Sequence, residues 1–346
     1  MLNMSGLPEN KTLKVMQFLH YVGIDVSKDT LDAAIYPCAD THEDCFHFEN
    51  SAAGMRSFTK WLKGRKVNPK KTLFCAEFTG VYANSLIDFA AKKELFLGMI
   101  PSLEIKRSLG IARGKNDRID SLRIAEYAYR HRDEISLYEK PSSTLTLLQT
   151  LLRERRQYVK QSHALRIMLK ELDGFSKGPS HKRAVKNIDQ IKDYIKEIDE
   201  QILSVISSDP KLKANYDLVT SIPGVGMINA VNTIIYTRNF ESFTDPRKYA
   251  CYVGVAPFEH TSGTSVRGRT RVSKLGNQEL KRDLTLAARA SIKFDPWMKN
   301  YFQRKSKEKG GGKDAYGLVL NAVKFKVILR MFSVVKSGEP YKVLCY

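Results

Sequence analysis

The segment Tyr21-Val22-Gly23-Ile24-Asp25 is a short apolar run that ends in an aspartate, a pattern typical of a buried strand with an acid at its end. A second apolar run, Thr72-Leu73-Phe74-Cys75-Ala76-Glu77, ends in a glutamate in the same way. Asp117 and Asp120 stand three residues apart at the start of a helical pattern, so their carboxylates share one helix face. These four acids predict a site for a hard cation, because Mg²⁺ prefers oxygen ligands and two such ions can activate both oxygens of a phosphoryl displacement.

The order of elements around these acids predicts the fold. Three short strands are expected at 20–26, 30–37 and 43–49, joined by turn-prone residues. The elements expected after them are a helix at 51–66, a strand at 72–77, a helix at 82–93, a strand at 95–101 and helices over about 102–131. The order β-β-β-α-β-α-β-α is that of the ribonuclease H-like fold, an α/β architecture with a mixed sheet.

Composition favours a nucleic-acid partner. The 346 residues allow two or three domains, and 57 Lys and Arg against 37 Asp and Glu give a net charge of +20. No apolar run approaches the length of a membrane span, and the first twenty residues lack the apolar core of a signal peptide, so we expect a cytoplasmic protein. Five scattered cysteines argue against a disulfide framework and against structural zinc.

The middle of the chain, at about 142–207, predicts two long helices that form an antiparallel hairpin. A heptad seam marks the second helix, with charged residues on its other faces. The seam residues are Ile188, Ile191, Ile195, Ile198, Ile202 and Val205. We interpret this segment as a coiled coil able to dimerise; the alternative is an ordinary pair of helices packed within one core.

The segment Leu218–Gly226 joins two apolar helical runs by a Pro-Gly-x-Gly turn and resembles a helix–hairpin–helix. In that motif, glycines such as Gly224 and Gly226 let backbone N–H groups approach a DNA phosphate. A plain helix–helix connector is an equally good interpretation of this stretch alone.

A polar, basic, glycine-punctuated stretch follows at Glu259–Asn277, and we expect it to be a flexible loop. Its cations, which suit phosphates, are Arg267, Arg269, Arg271 and Lys274. Ser262 and Ser265 are hydroxyls in this setting, where a backbone phosphate could be held for attack, although each alone is more typical of a turn. Helical runs at about 277–294 and 313–335, with a flexible basic linker at Lys309–Lys313, complete a mainly α C-terminal domain.

Five motifs in order resemble the DEDD transposases of insertion-sequence family 110 (IS110). The three that carry acids are Gly23-Ile24-Asp25-Val26-Ser27-Lys28, Glu77-Phe78-Thr79-Gly80 and Lys115-Asn116-Asp117-Arg118-Ile119-Asp120. The two in the C-terminal part are Ser221-Ile222-Pro223-Gly224-Val225-Gly226 and Ser262-Gly263-Thr264-Ser265-Val266-Arg267-Gly268. The resemblance runs from about Tyr21 to Tyr341. One departure is Ser121, where the family often has alanine.

The resemblance implies three domains: a RuvC-like catalytic domain at 1–140, a coiled-coil hairpin at 141–209 and a transposase domain at 210–346. It implies that Asp25, Glu77, Asp117 and Asp120 bind Mg²⁺, with Mn²⁺ as a substitute. It further implies that Ser262, with Ser265 as its rival, attacks DNA to form a phosphoserine link. A non-coding bridge RNA would pair with target and donor DNA, which explains how a protein with few base-reading features can be specific. We expect a homo-oligomer, formed through the coiled coil, at the nucleoid of a prokaryote.

Three other functions stay open at this stage. A site-specific DNA invertase of the same superfamily shares these motifs. A Mg²⁺-dependent resolvase or nuclease would use water, and Ser262 would then be irrelevant. A non-catalytic scaffold would tolerate loss of Asp25 or Glu77. Because the acids and the serine lie in different domains, a site completed by two protomers is a further hypothesis.

Overall fold

The computed structural model describes residues 17–37, 44–108, 117–171, 178–262, 266–273 and 275–343. The chain divides into two compact units, one that ends at Lys140 and one that begins at Pro141. Each unit has an apolar core of its own. Of the described helices, none combines the length and the apolar character that crossing a membrane requires.

The first unit is built on a five-stranded mixed sheet. Its strands are β1 (His20–Val26), β2 (Thr30–Tyr36), β3 (Cys45–Glu49), β4 (Thr72–Glu77) and β5 (Phe96–Ile100). They lie in the order β3-β2-β1-β4-β5. The β1–β2 and β2–β3 pairs are antiparallel, and the β1–β4 and β4–β5 pairs are parallel. The sheet fits the α/β fold of the RuvC-like type that the order of elements predicts.

Helices cover both faces of this sheet. They are α1 (Ala52–Gly64), α2 (Asn84–Lys93), α3 (Ser102–Ser108) and α4 (Asp117–Arg130). Phe58 of α1 and Leu86 of α2 are buried together with Ile24 of β1 on one face. Ile124 of α4 is buried together with Tyr21 of β1 on the other face. Because β1 is covered on both sides, its sequence is a continuous apolar run rather than an alternating one.

The second unit begins with two long helices, α5 (Ser143–Glu171) and α6 (Pro179–Ser207). The seam residues of α6 that are buried are Ile188, Ile191, Ile198 and Ile202. Ile198 and Ile202 share one apolar cluster with Leu148 of α5, so at this end of α6 the seam is covered within the same chain. A coiled coil with a second copy stays a prediction.

The rest of this unit is mainly helical, as expected. Its helices are α7 (Pro210–Thr220), α8 (Met227–Thr237), α9 (Pro246–Val253), α10 (Gln278–Phe294), α11 (Pro296–Glu308) and α12 (Gly312–Ser337), and its strands are β6 (Pro257–Ser262) and β7 (Val266–Val272). Leu284 of α10 and Val327 of α12 are buried in its core. The helix α11 was not expected, although Asp295 caps it by accepting a hydrogen bond from the Met298 N–H at 3.1 Å, with Pro296 at its first position.

The prediction of a flexible loop over Glu259–Asn277 is wrong for most of its length. β6 and β7 pair as an antiparallel hairpin in which Ser262 is opposite Val266, with an irregularity between Phe258 and His260. The stretch is too polar to look like a strand by its hydrophobic pattern. Its β-branched residues, Thr261, Thr264, Val266, Thr270 and Val272, nevertheless favour extended backbone.

Candidate active site and nucleic-acid interface

Asp25 and Glu77 lie at the ends of two neighbouring parallel strands. The last paired residues of β1 and β4 are Ile24 and Ala76, and each acid is the residue that follows. Paired residues of adjacent strands point to the same face, and successive residues alternate between faces. Both carboxylates therefore project from the same edge of the sheet and from the same face, which is the face that α4 covers.

Gly23 brings α4 close to Asp25. A Cβ atom on Gly23 would lie 2.2 Å from the carbonyl oxygen of Ser121 and 2.2 Å from the amide nitrogen of Ala125. Gly23 and Asp25 are two residues apart and thus face the same helix. The missing side chain lets the backbone of α4 pack directly on β1. This contact places the first turn of α4, which carries the two predicted aspartates, beside the end of β1.

The four predicted acids influence one another electrostatically. Burial raises the pKa of Asp25 to about 6, with further upward contributions from the carboxylates of Glu77, Asp117 and Asp120. A hydrogen bond from the backbone N–H of Val26 opposes this shift. A half-buried carboxyl group whose pKa is raised further by three other carboxylates is typical of a cation site or of an acid–base site.

The donor set of this site fits a divalent cation. Among the described residues, no three acidic, histidine or cysteine side chains lie close enough together to enclose a metal ion. Mg²⁺ does not need such a cage, because it keeps several waters and is usually held by one or two carboxylates together with substrate phosphates. A bound cation would favour the charged form of Asp25 and so oppose the burial and the neighbouring carboxylates that raise its pKa.

Two side chains that the sequence did not single out support the acids. Ser102, at the start of α3, donates a hydrogen bond to Oε1 of Glu77. Arg123 donates to Oδ1 of Asp120 at 2.9 Å, within the same helix. A usable signal for Ser102 is its place two residues after β5, since Ile100 at the end of that strand pairs with Glu77.

Asn50 holds together the loops that follow β1 and β4. Its Nδ2 donates to the backbone carbonyl of Ser27 at 3.0 Å and to that of Tyr82 at 2.9 Å. Ser27 lies two residues after Asp25, and Tyr82 lies five residues after Glu77. One amide therefore ties together the chain segments that leave the two acids.

Ser121, the departure from the family pattern, is compatible with this packing. Its side chain is fully buried against the sheet. Its hydroxyl donates to the backbone carbonyl of Arg118 at 2.9 Å. A buried hydroxyl with a partner carries little penalty, so serine fills the place of alanine without disturbing the site.

The predicted nucleophile stands at the end of a strand in the second unit. Ser262 is the last residue of β6, and Arg267, Arg269 and Arg271 occupy alternate positions of β7. Ser265 and Lys274 lie outside the described residues.

Two glycines pack together where the β6–β7 hairpin joins α9 and α10, a place that we call the root of the hairpin. Gly254, which ends α9 with φ of +77°, packs so closely on Gly276 that a Cβ on Gly276 would lie 2.3 Å from the Gly254 backbone. The backbone N–H of Asn277, at the start of α10, donates to the carbonyl of Tyr252 at 2.9 Å.

The two glycines of the Pro-Gly-x-Gly turn differ in their surroundings. A Cβ on Gly224, which has φ of +92°, would lie 2.3 Å from the amide nitrogen of Ser291 on α10. The absence of a side chain there is required by packing inside the unit. A Cβ on Gly226, at the start of α8, would meet nothing within 4 Å. Of the two, only Gly226 has open space beside it.

Two family models match this chain. One, described as a transposase of the DEDD type of IS110, matches residues 22–172. The other, described as transposase IS116/IS110/IS902 family, matches residues 216–303. The first match includes the sheet and all four acids, and the second includes the β6–β7 hairpin. The chain belongs to the IS110 family of transposases. It is therefore an enzyme of DNA strand cleavage and rejoining.

The proteins to which the transposase is similar include two that are named as gene-inverting proteins and one that is named for an insertion element. It is 26% identical to the pilin gene-inverting proteins of Moraxella bovis and Moraxella lacunata, over 93% of this chain and 97% of theirs. It is 30% identical to an uncharacterized 43.6 kDa protein of insertion element IS110 from Streptomyces coelicolor, over 36% of this chain and 30% of that protein.

Proposed function

We propose that this transposase moves an insertion element by cutting DNA and exchanging strands through a covalent phosphoserine intermediate. The observation that carries the proposal is that Asp25 feels the charges of three further carboxylates, on elements held together by strand pairing and by the contact of α4 with Gly23. Like charges that are partly buried destabilise the fold, so apolar residues at these positions would make the protein more stable. The acids are therefore better explained by a function than by a structural role. In this proposal the transposase acts on chromosomal DNA in a prokaryotic cell.

The acids have a defined chemical task in this proposal. Asp25, Glu77, Asp117 and Asp120 would hold Mg²⁺, or Mn²⁺ in its place. A cation held by these acids would neutralise charge on the phosphodiester and would lower the pKa of an attacking hydroxyl group. Ser102 and Arg123 orient Glu77 and Asp120, so that their oxygens stay in place when the site is empty.

Ser262 is the proposed nucleophile. Its Oγ forms a bond to the phosphorus while the bond from phosphorus to the leaving deoxyribose oxygen breaks. The serine proton goes to solvent, and the leaving oxygen takes up a proton. The phosphoserine diester conserves the energy of the phosphodiester, so a hydroxyl of another strand can reverse the step and release the serine.

Nucleic acids are the proposed partners. The net charge of +20 supports binding of target DNA, donor DNA and a non-coding bridge RNA through their phosphates. Arg267, Arg269, Arg271 and Lys274 would contact phosphates beside Ser262. In the turn before α8, Gly226 would offer its backbone to a phosphate as in a helix–hairpin–helix, with Gly224 shaping that turn. Base pairing by the RNA would select the sites.

Site-specific inversion is the second candidate function. The observation that favours it is the extent of similarity: the two pilin gene-inverting proteins match along nearly their whole length, whereas the IS110 protein matches over about a third of it. An invertase would use the same acids and the same serine, and would flip a fixed DNA segment rather than move an element.

A recombination assay separates these functions. The gene and its native flanking DNA are placed on a plasmid, and junctions are sequenced after expression of the wild type, Glu77→Gln and the exposed-acid control Asp88→Asn. We expect new junctions with the wild type and with Asp88→Asn, and none with Glu77→Gln. Insertion junctions support transposition, and inverted junctions support inversion. Junctions that persist in Glu77→Gln would overturn the enzymatic role of the acids.

Two variations of the assay test the partners. Deleting the non-coding flank should abolish recombination, and its transcript supplied from a second plasmid should restore it; recombination without the flank would overturn RNA guidance. Co-expression of Ser262→Ala with Asp25→Asn should restore junctions if two protomers complete one site. Failure to restore activity at any ratio would contradict that arrangement.

A further inference from the structure

The second unit buries a lysine that has no acidic partner. Lys324 lies on α12, and only 8% of its surface is exposed. Among the described residues, no carboxylate lies within ion-pair distance of its ammonium group. Taking an ammonium group out of water without an opposite charge is costly, so nearly buried lysines are usually paired.

Two more cations lie near Lys324. Lys281 and Arg289 are eight residues apart on α10, so they stand about two turns from each other on one side of that helix. Burial, followed by the charges of Lys281 and Arg289, lowers the pKa of Lys324. Burial also lowers the pKa of Lys281. We refer to Lys281, Arg289 and Lys324 as the cation cluster.

Two other partly buried cations of the same unit are paired with acids. Arg330, also on α12, forms an ion pair with the fully buried Asp295, whose carboxylate accepts a second hydrogen bond from the hydroxyl of Tyr341 at 2.9 Å. Arg156 of α5 forms an ion pair with Glu279 of α10 at 2.8 Å. Lys324, although more deeply buried, has no such partner among the described residues.

The cation cluster is close to the root of the hairpin that carries Ser262. Asn321, one turn before Lys324 on α12, donates a hydrogen bond to the carbonyl of Val255 at 2.8 Å, just ahead of β6. Lys281 lies one turn after Asn277, where β7 leads into α10. Lys281 and Lys324 thus lie about one turn from the points where the hairpin is attached, and Arg289 lies about two turns further along α10.

We propose that Lys281, Arg289 and Lys324 form a binding site for a backbone phosphate of the DNA that the Ser262 hairpin engages. This rests on the proposed function. A phosphate would supply the missing charge to the three cations through charge-assisted hydrogen bonds. Such a contact positions a strand and reads no sequence, which suits a recombinase whose sites are selected by base pairing.

The experiment compares three variants. Lys324→Met removes the charge and keeps the apolar stem, Lys324→Arg keeps a cation, and Lys336→Met removes an exposed lysine from the last turn of the same helix. The probe is a fluorescent duplex taken from the DNA that flanks the gene, and its affinity is measured over a series of salt concentrations. Denaturant unfolding of each variant is measured in parallel.

We expect Lys324→Met to bind the duplex roughly ten-fold more weakly, with a salt slope reduced by about one phosphate contact. Lys324→Arg should bind nearly as the wild type does, and Lys336→Met should change little. Lys324→Met should be at least as stable as the wild type, because an unpaired buried charge is removed. Lost affinity would then not be attributable to unfolding.

Two outcomes would overturn the site. One is a folded Lys324→Met protein whose affinity and salt slope equal those of the wild type. The other is lost affinity for a single-stranded RNA transcript of the same flank without any loss for the duplex, which would assign the cations to RNA. In either case, a wild type that still recombines DNA leaves the proposed function intact; a wild type that neither binds nor recombines DNA defeats that function itself.

Discussion

We refer to Asp25, Glu77, Asp117 and Asp120 of the first unit as the acid site. The acid site and the cation cluster of the second unit both hold groups of like charge near one another, negative in the first and positive in the second. Asp25 is half-buried near three other carboxylates, and its pKa is raised to about 6. Lys324 is nearly buried near two other cations, and its pKa is lowered. In both regions, like charges are held together at the expense of folding stability. The comparison leads us to propose that each region binds a ligand of opposite charge, a metal cation in one and a phosphate in the other.

The two regions differ in how their charges are held. The acids stand on paired strand ends and on a helix that a glycine contact fixes to the sheet, so their placement is set by the backbone. The cations are long side chains on two packed helices, and Ser262 lies at the end of a two-stranded hairpin. We infer that the acid site is the more rigid of the two and tolerates substitution less.

The largest expected effect is on the acid site. Asp25→Asn removes the central carboxylate but keeps its shape, and we expect strand cleavage to fall by roughly 10³-fold or more. The free energy of unfolding at pH 8 should rise, because a repelled, half-buried charge is lost. Cleavage rates and denaturant unfolding check both statements, with Asp88→Asn as an exposed-acid control from the same unit. An Asp25→Asn protein that still cleaves DNA at the wild-type rate would contradict the role of Asp25, and the acid site would then no longer be comparable with the cation cluster.

The next effect concerns the contact that places α4. Gly23→Ala puts a Cβ atom 2.2 Å from two backbone atoms of α4. We expect the free energy of unfolding to fall by on the order of 3 kcal/mol and cleavage to be lost as the two aspartates move away. Gly64→Ala is the matched control: it lies in α1 with open space around it and should be neutral or stabilising by up to about 1 kcal/mol. Equal stability of the two variants would contradict the account.

A pH series sharpens the comparison. The folded-state pKa of Asp25 is about 6, above its ordinary value of 3.8, so the folded protein holds this proton more tightly than the unfolded chain does. Its contribution to stability is fully present below about pH 4 and is lost as the pH rises through 6. In EDTA, the stability advantage of Asp25→Asn over the wild type should therefore grow between these pH values and then level off. A difference that does not change with pH would mean that neither burial nor the neighbouring carboxylates raise the pKa of Asp25.

The smallest effect is expected at Gly226. Its Cβ position is open, so Gly226→Ala should change the free energy of unfolding by no more than about 0.5 kcal/mol. If the turn contacts a phosphate through its backbone, affinity for duplex DNA should fall a few-fold. Gly224→Ala, which would collide with α10, should instead unfold the unit more easily. Unchanged DNA affinity in Gly226→Ala would leave the turn as a plain connector.

The sequence predicted the first unit well because its signals are local. The apolar runs that end in Asp25 and Glu77 and the helix that begins at Asp117 are visible within a few residues of chain. The hydrophobic pattern does not predict the β6–β7 hairpin because its composition is polar, and it does not predict α11, whose start is marked instead by the cap at Asp295 and by Pro296. The cation cluster could not be predicted, since Lys324 resembles any surface lysine until α12 is known to pack on α10.

The measurement that tests the central claim most directly is a denaturing gel for covalent protein–DNA adducts. The wild type, Ser262→Ala and Ser265→Ala would each be incubated with the native flanking DNA, the transcript of the non-coding flank and Mg²⁺. The account predicts an adduct with the wild type and with Ser265→Ala, and none with Ser262→Ala. Mg²⁺-dependent cutting that survives both substitutions without any adduct would contradict it and would assign the chemistry to water.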